Sequence, residues 1–288
     1  MATTTGTARV DDQVREVTDD EVAHYQENGW VSLPGLVSRD LAEDLLRHLK
    51  SVTNLDYDEL PQDHPDAAGV IKRIAEQGVA SIFYMSRLHD DTVWNIVTSR
   101  KLGEASARLT GRRPMRLLTD GVICKLPKWT EEGALKGSGA MVGKTPWHQD
   151  MPPMPVDRQG GVQFWLALCE ITPEMGSMQH LSGSHRAGPI GNVQYTPDQD
   201  AEKLYPEIFA KYPVSEAHHF QPGDVLAHHM LTVHYAQPNQ TNRLRWVYTS
   251  YRVPADTLYN GIPNPRFTEF DFTPWKTFDH PKFPIVAS

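Results

Sequence analysis

Near residue 115 the texture of the chain changes, and that change dictates the architecture. Before it the pattern is helical. Thr18-Asp19-Asp20-Glu21 is a capping box, in which a Thr hydroxyl and a Glu carboxylate satisfy orphan amides at a helix start, and Gly29 offers a stop. A short strand is expected at Trp30 to Leu33. Ser38 then caps a second helix whose Leu41, Leu45, Leu46 and Leu49 share one face at the 3.6-residue period. A short helix near Ile71 and a longer one from Asp91 to Leu109, closed by Gly111, complete this part. After Met115, β-type runs alternate with Gly and Pro: Leu117 to Leu126, Val162 to Leu168, Met178 to Leu181, Val225 to His229 and Leu244 to Val253. Helices first and many short strands after predict a mainly β fold with α: a double-stranded β-helix (jelly-roll, cupin-like) core with a helical layer on one face. No internal repeat or linker divides the 288 residues, so they are expected to form a single domain, with residues 1–16 as a loose tail.

Two stretches are longer than simple connections. Pro127 to Trp147 is rich in Gly and Lys, and residues 186–222 hold an expected helix near Asp200 to Lys211. Lys128 to Thr145 is expected to be mobile without ligand. Composition excludes several functions. With 28 basic and 36 acidic side chains the net charge is −8, and no Lys/Arg cluster is present to grip phosphates, so nucleic acid is not an expected partner. No run approaches the ~20 apolar residues that span a bilayer, and Met1 to Val10 lacks the apolar core of a signal peptide, so the expected place is the cytoplasm, away from membranes. Cys124 and Cys169 lack metal-site spacing and are expected to be free, half-buried strand thiols. The sequence carries no signal for an oligomeric state.

Thirteen histidines invite a search for metal-ligand spacing. His-x-Asp occurs at His64/Asp66, His89/Asp91 and His148/Asp150, where about one match is expected by chance, so context must choose. The first lies in a polar Pro/Asp loop, and the second precedes a helix that Asp would cap. His148-Gln149-Asp150 instead enters the strand region, where residues i and i+2 point to one side and can converge on one ion. Two His and one carboxylate with open positions beside them form the facial triad of non-heme Fe(II) oxygenases. A third ligand must come from His228, His229 or His234. His228 and His229 are adjacent in a strand, so at most one faces inward. Arg245 stands among Trp246, Tyr248 and Tyr251; a cation in so apolar a strand calls for an anion, and its planar fork suits a carboxylate.

The chain resembles the phytanoyl-CoA dioxygenase family of Fe(II)/2-oxoglutarate oxygenases over nearly its whole length. The resemblance is carried by Glu21 to Gly35 (EVAHYQENGWVSLPG), Trp147-His148-Gln149-Asp150, Gly183-Ser184-His185-Arg186, Pro222-Gly223-Asp224, and His234 followed by Asn239 and Arg245. It implies that His148, Asp150 and His234 hold Fe(II), and that Arg245, with Arg243 as the alternative, pairs with the distal carboxylate of 2-oxoglutarate. It also implies that Trp165 lines the co-substrate pocket and that Lys125 stands near the cofactor. The co-substrates would be 2-oxoglutarate and O2, the products succinate and CO2. Related halogenases replace the carboxylate with a small residue, so Asp150 favours hydroxylation, or epimerisation, cyclisation or desaturation.

Trp129, Met141, Trp147, Met151 and Met154 flank the motif and suit either an apolar ligand or plain packing at the barrel mouth. No basic segment for a coenzyme A phosphate is evident. The expected partner is therefore a small, mostly hydrophobic metabolite, with a place in secondary metabolism. Two other readings remain: a cupin-like metalloenzyme without 2-oxoglutarate, which would have no need of Arg245, and a non-catalytic binding protein on the same scaffold, against which an intact triad argues.

Overall fold

The computed structural model describes residues 10–71, 81–83, 90–132, 143–191 and 200–288. Helix α1 (Asp19–Asn28) starts at Thr18 with both halves of the capping box formed and ends at Gly29, whose φ of 75° is left-handed. A Cβ at Gly29 would also lie 2.3 Å from His185 Nδ1, so close approach as well as backbone conformation requires glycine there. Strand β1 (Trp30–Leu33) and helix α2 (Arg39–Thr53), capped by Ser38, follow as expected. Residues 67–71 form the helical turn expected near Ile71.

The long helix expected from Asp91 to Leu109 is two helices, α3 (Asp91–Val97) and α4 (Arg100–Thr110). Ser99 caps α4 by accepting from Leu102 N and donates to Asp11 Oδ1 at 2.6 Å, and the Lys101 amide donates to the same oxygen. Asp11 thus fixes the break, and it belongs to the segment expected to be a loose tail. Residues 10–16 are not loose: Val10 and Val14 are buried, Arg15 N donates to Leu36 O, and Ser38 N donates to Gln13 O. Residues 1–9 lie outside the described residues.

The remaining strands are β2 (Ser81–Phe83), β3 (Met115–Lys125), β4 (Thr145–His148), β5 (Val162–Ala167), β6 (Met178–His180), β7 (Val225–His229), β8 (His234–Ala236), β9 (Arg245–Pro254) and β10 (Ile285–Ala287). A large antiparallel sheet runs β1-β7-β5-β9-β3-β10, with β2 also on β3, and a small sheet runs β4-β8-β6. These two sheets make the expected jelly roll. Both faces of the large sheet are covered, which is why its strands read as near-continuous apolar runs. Val225, Ala227, Phe164, Leu166, Trp246, Tyr248, Val122 and Cys124 pack with Leu45, Leu49, Ile96 and Leu102 of the helical layer. Cys124 is therefore fully buried, not half-buried, and burial pushes its thiol pKa up; Cys169 is partly buried, and both thiols are free. Leu226, Trp165, Ala167 and Val247 point the other way and meet Met178 and Ala236 of the small sheet.

The expected helix near Asp200 to Lys211 is split by Pro206 into α5 (Ala201–Leu204) and α6 (Pro206–Lys211), which cover the outside of the small sheet. Most of the stretch expected to be mobile, 133–142, lies outside the described residues; on its near side Lys128 N donates to Asn239 O. Among the described residues no helix is long and apolar enough to cross a membrane.

Strand β10 docks on α4 at Gly103, where a Cβ would sit 1.9 Å from the Val286 carbonyl oxygen. Glycine to alanine inside a helix ordinarily gains about 1 kcal/mol. Here the sign reverses: Gly103→Ala is expected to lose about 2 kcal/mol and lower Tm by about 4–8 °C. Thermal unfolding checks this, and a raised Tm would mean that β10 does not lie against the helix.

Candidate metal centre

Strand register builds the site. In the small sheet His148 pairs directly with His234, and His234 pairs directly with His180. Directly paired residues share a face, so three imidazoles form a row across β4, β8 and β6. In the large sheet Trp30, His228, Gln163 and Tyr251 form a matching row across β1, β7, β5 and β9. The rows face each other, with the His228 and His234 ring centroids 4.3 Å apart.

Donor atoms of His148, Asp150 and His234 lie within 4.8 Å of one another, and all three residues are buried. Asp150 Oδ1 is 3.8 Å from Nε2 of each imidazole. A first-row divalent ion bonded at roughly 2.1 Å holds its donors about 3–4 Å apart, so the spacing suits one ion. The tautomers fit too. His148 Nδ1 donates to Pro146 O at 2.7 Å and His234 Nδ1 donates to Thr232 O at 3.0 Å, which leaves both Nε2 lone pairs facing the carboxylate. Burial pushes the pKa of both imidazoles down and keeps them neutral, as ligands must be. Burial alone would raise the Asp150 carboxyl, but His234, the hydrogen bond from His228 and the other facing imidazoles outweigh it and hold it well below the usual carboxylate range.

Neighbouring groups lock this geometry. Between the two ligands Gln149 turns away, donating to Gly188 O and Leu231 O and accepting from Ile190 N. Asp200 accepts from Trp147 N and pairs with Lys144, which ties α5 to the strand that carries His148. Ser184, from the Gly-Ser-His segment, accepts from Val233 N beside His234.

Arg245 and Lys125 pair directly across β9 and β3, and both are buried. The Arg245 guanidinium donates to Gly176 O and lies 5.4 Å above the Trp165 ring. Burial lowers its pKa to about 10, so it stays charged at neutral pH, yet among the described residues no carboxylate pairs with it and Nε has no partner. Two cations side by side in a sheet repel. Lys125 Nζ donates to Thr145 Oγ1 at 3.2 Å, one strand end away from His148. Arg243, the alternative, points elsewhere and pairs with the half-exposed Glu170. The donor set fits a redox-active divalent ion, and the cation-rich wall fits an anionic co-substrate.

Of the two rival His-x-Asp motifs, His64 accepts from the Asp66 amide through Nδ1 and meets the Tyr57 ring edge-on; Asp91 opens α3, and His89 lies outside the described residues. The aromatic and Met residues flanking the motif divide. Trp147 points to the outside of the small sheet, stacked on Tyr235 with centroids 5.0 Å apart, and Trp129 donates to Leu60 O, so neither faces the triad. Met154 packs with Val156, Met230 and Tyr251, Met151 lies against that cluster, and Met141 is outside the described residues.

The profile of the phytanoyl-CoA dioxygenase (PhyH) family matches residues 25–247. The chain belongs to the phytanoyl-CoA dioxygenase family. The expected family resemblance is thus borne out. Among solved structures the chain is similar to SnoK, a non-heme alpha-ketoglutarate-dependent carbocyclase from nogalamycin biosynthesis. The match has 20% identity and a TM-score of 0.70, covering 93% of this chain and 96% of that one. The epimerase SnoN, crystallised with Fe3+, alpha-ketoglutarate and nogalamycin RO, matches at 19% and 0.69 over 93% and 98% of the two chains. EctD from S. alaskensis, with 2-oxoglutarate and 5-hydroxyectoine, matches at 18% and 0.59 over 90% and 83%. At such identities the likeness establishes the fold. The curated relative, dioxygenase hkm4 of Aspergillus hancockii, is 34% identical over 64 residues, 20% of this chain, and the chain spans about a fifth of that relative's length.

The sequence offered His228 only as one of three candidates for the third ligand and did not single out His180. Choosing between His228 and His229 needs the β7 register, which aims His228 inward. His180 carries no motif, but its period-two relation to Met178 on an expected strand was a usable signal.

Proposed function

We propose that His148, Asp150 and His234 hold Fe(II), that Arg245 receives the distal carboxylate of 2-oxoglutarate, and that the enzyme oxidises a C–H bond of a small, mostly hydrophobic metabolite in secondary metabolism. Bound there, iron and 2-oxoglutarate supply oxidation of the substrate coupled to decarboxylation of the co-substrate to succinate and CO2. The carrying observation is a buried His-His-Asp cluster in the same barrel interior as a buried guanidinium that has no carboxylate partner among the described residues.

The chain's own residues then have separate tasks. His148 and His234 present neutral lone pairs fixed by their Nδ1 hydrogen bonds, and Asp150 brings one negative charge. Arg245 anchors the far end of the co-substrate, Lys125 adds positive charge beside it, and Trp165 supports the guanidinium through its ring face. Hydroxylation is the simplest outcome; the SnoK and SnoN likenesses keep cyclisation and epimerisation beside it. The absence of a basic run favours an uncharged metabolite over an acyl-CoA, and a cytoplasmic location goes with such a substrate.

Anaerobic titration with Fe(II) and then 2-oxoglutarate tests the reading through the weak visible metal-to-ligand charge-transfer band. The wild type is expected to give the band and His148→Ala to lose it. A wild type that binds metal without forming the band would favour the cupin-like enzyme that uses no 2-oxoglutarate.

A further inference from the structure

Asp150 has two oxygens, and the fold treats them differently. Oδ1 faces both Nε2 atoms of the triad, at 3.8 Å from each. Oδ2 accepts a hydrogen bond from His228 Nε2 at 3.0 Å. His228 is fully buried on β7, on the opposite sheet from His148 and His234, so the bond crosses the barrel. Because the carboxylate oxygen can only accept, Nε2 carries the proton and Nδ1 carries a lone pair. That Nδ1 is buried and has no partner among the described residues.

Beside it stands His180, also fully buried, its ring centroid 5.4 Å from that of His228 and stacked on Trp30 at 5.2 Å. Neither His180 nitrogen has a partner among the described residues. A neutral imidazole offers one donor and one acceptor, and the lone pair of His228 Nδ1 needs a donor, so the two rings are complementary. Leaving such groups unsatisfied costs about 1–3 kcal/mol each, which a fold does not carry at two adjacent histidines without use.

We propose that His228, supported from behind by His180, is a positioning residue that commits Asp150 to the metal through Oδ1 alone. This inference rests on the metal reading above. A carboxylate bound through both oxygens would take one of the three positions that a facial triad leaves open. A bidentate 2-oxo acid would then fill the remaining two. By holding Oδ2 in a hydrogen bond, His228 keeps the third position available.

The test compares His228→Phe, which keeps ring volume without a donor, with His228→Gln, which restores an amide donor. Both are titrated anaerobically with Fe(II) and then 2-oxoglutarate, and with Co(II), whose visible absorption reports coordination number. His228→Phe is expected to bind metal and 2-oxoglutarate, to weaken the absorption of the Co(II)–2-oxoglutarate complex as the second Asp150 oxygen fills the position left open, and to release succinate in air about 10- to 100-fold more slowly. His228→Gln should recover most of both, and His180→Phe should fall between Gln and wild type. A His228→Phe protein with the wild-type spectrum of its Co(II)–2-oxoglutarate complex and wild-type succinate release overturns the proposal. So does a Gln variant no better than Phe, which covers the case in which Phe fails to fold. If the wild type itself forms no band with 2-oxoglutarate, the failure lies in the metal reading and not in the role of His228.

Discussion

Asp150→Ala abolishes 2-oxoglutarate turnover and leaves the fold standing: that is the expected result of deleting the single carboxylate of the cluster. The loss should exceed the roughly 10- to 100-fold that removal of an outer partner costs, because no other described carboxylate reaches His148 and His234. Stability should move little. The variant removes a buried charge, which is favourable, and strands the His228 Nε2 donor, which costs about 1–3 kcal/mol. Measured succinate release with a parallel Tm separates the two effects. Retained turnover would assign the carboxylate role to a different residue.

Arg245→Lys is the second large effect. The charge survives but the fork does not, and a lysine ammonium cannot make two parallel bonds to one carboxylate. The dissociation constant for 2-oxoglutarate is expected to rise at least about tenfold, equivalent to about 1.4 kcal/mol. Titration of the Fe(II)-loaded protein reads it directly, with Fe(II) affinity unchanged as the control. An unaltered constant would remove Arg245 from the co-substrate site. Arg243 would not inherit the role, since its guanidinium is committed to Glu170.

The jelly roll was legible because its strands are short, apolar and punctuated by Gly and Pro, and the capping residues Thr18 and Ser38 marked their helices directly. His148 and Asp150 were legible through type and spacing and Arg245 through its apolar strand, whereas His234 was chosen from three histidines only by the family resemblance; the structure brings all four into one interior. What escaped depended on contacts distant in sequence. Val10 and Val14 are spaced as one apolar face, yet amid Thr, Gly and Asp they read as tail until Asp11 is seen holding Ser99. That same contact hid the break between α3 and α4. His180 escaped because its meaning comes from β8, more than fifty residues away, where register sets it beside His234. Trp147 misled for the opposite reason: its neighbour in sequence is a ligand, but alternation along β4 sends its ring outward.

Register between β4 and β8 also separates metal loading from folding. His148 and His234 are opposed by backbone pairing, and Asp150 is held by its own amide on Met230 O and by His228, all through protein contacts. In a zinc finger the ligands meet only when the ion arrives, so binding energy is folding energy. Here backbone pairing and protein hydrogen bonds already oppose the donors, so less of the coordination energy would be spent on bringing them together.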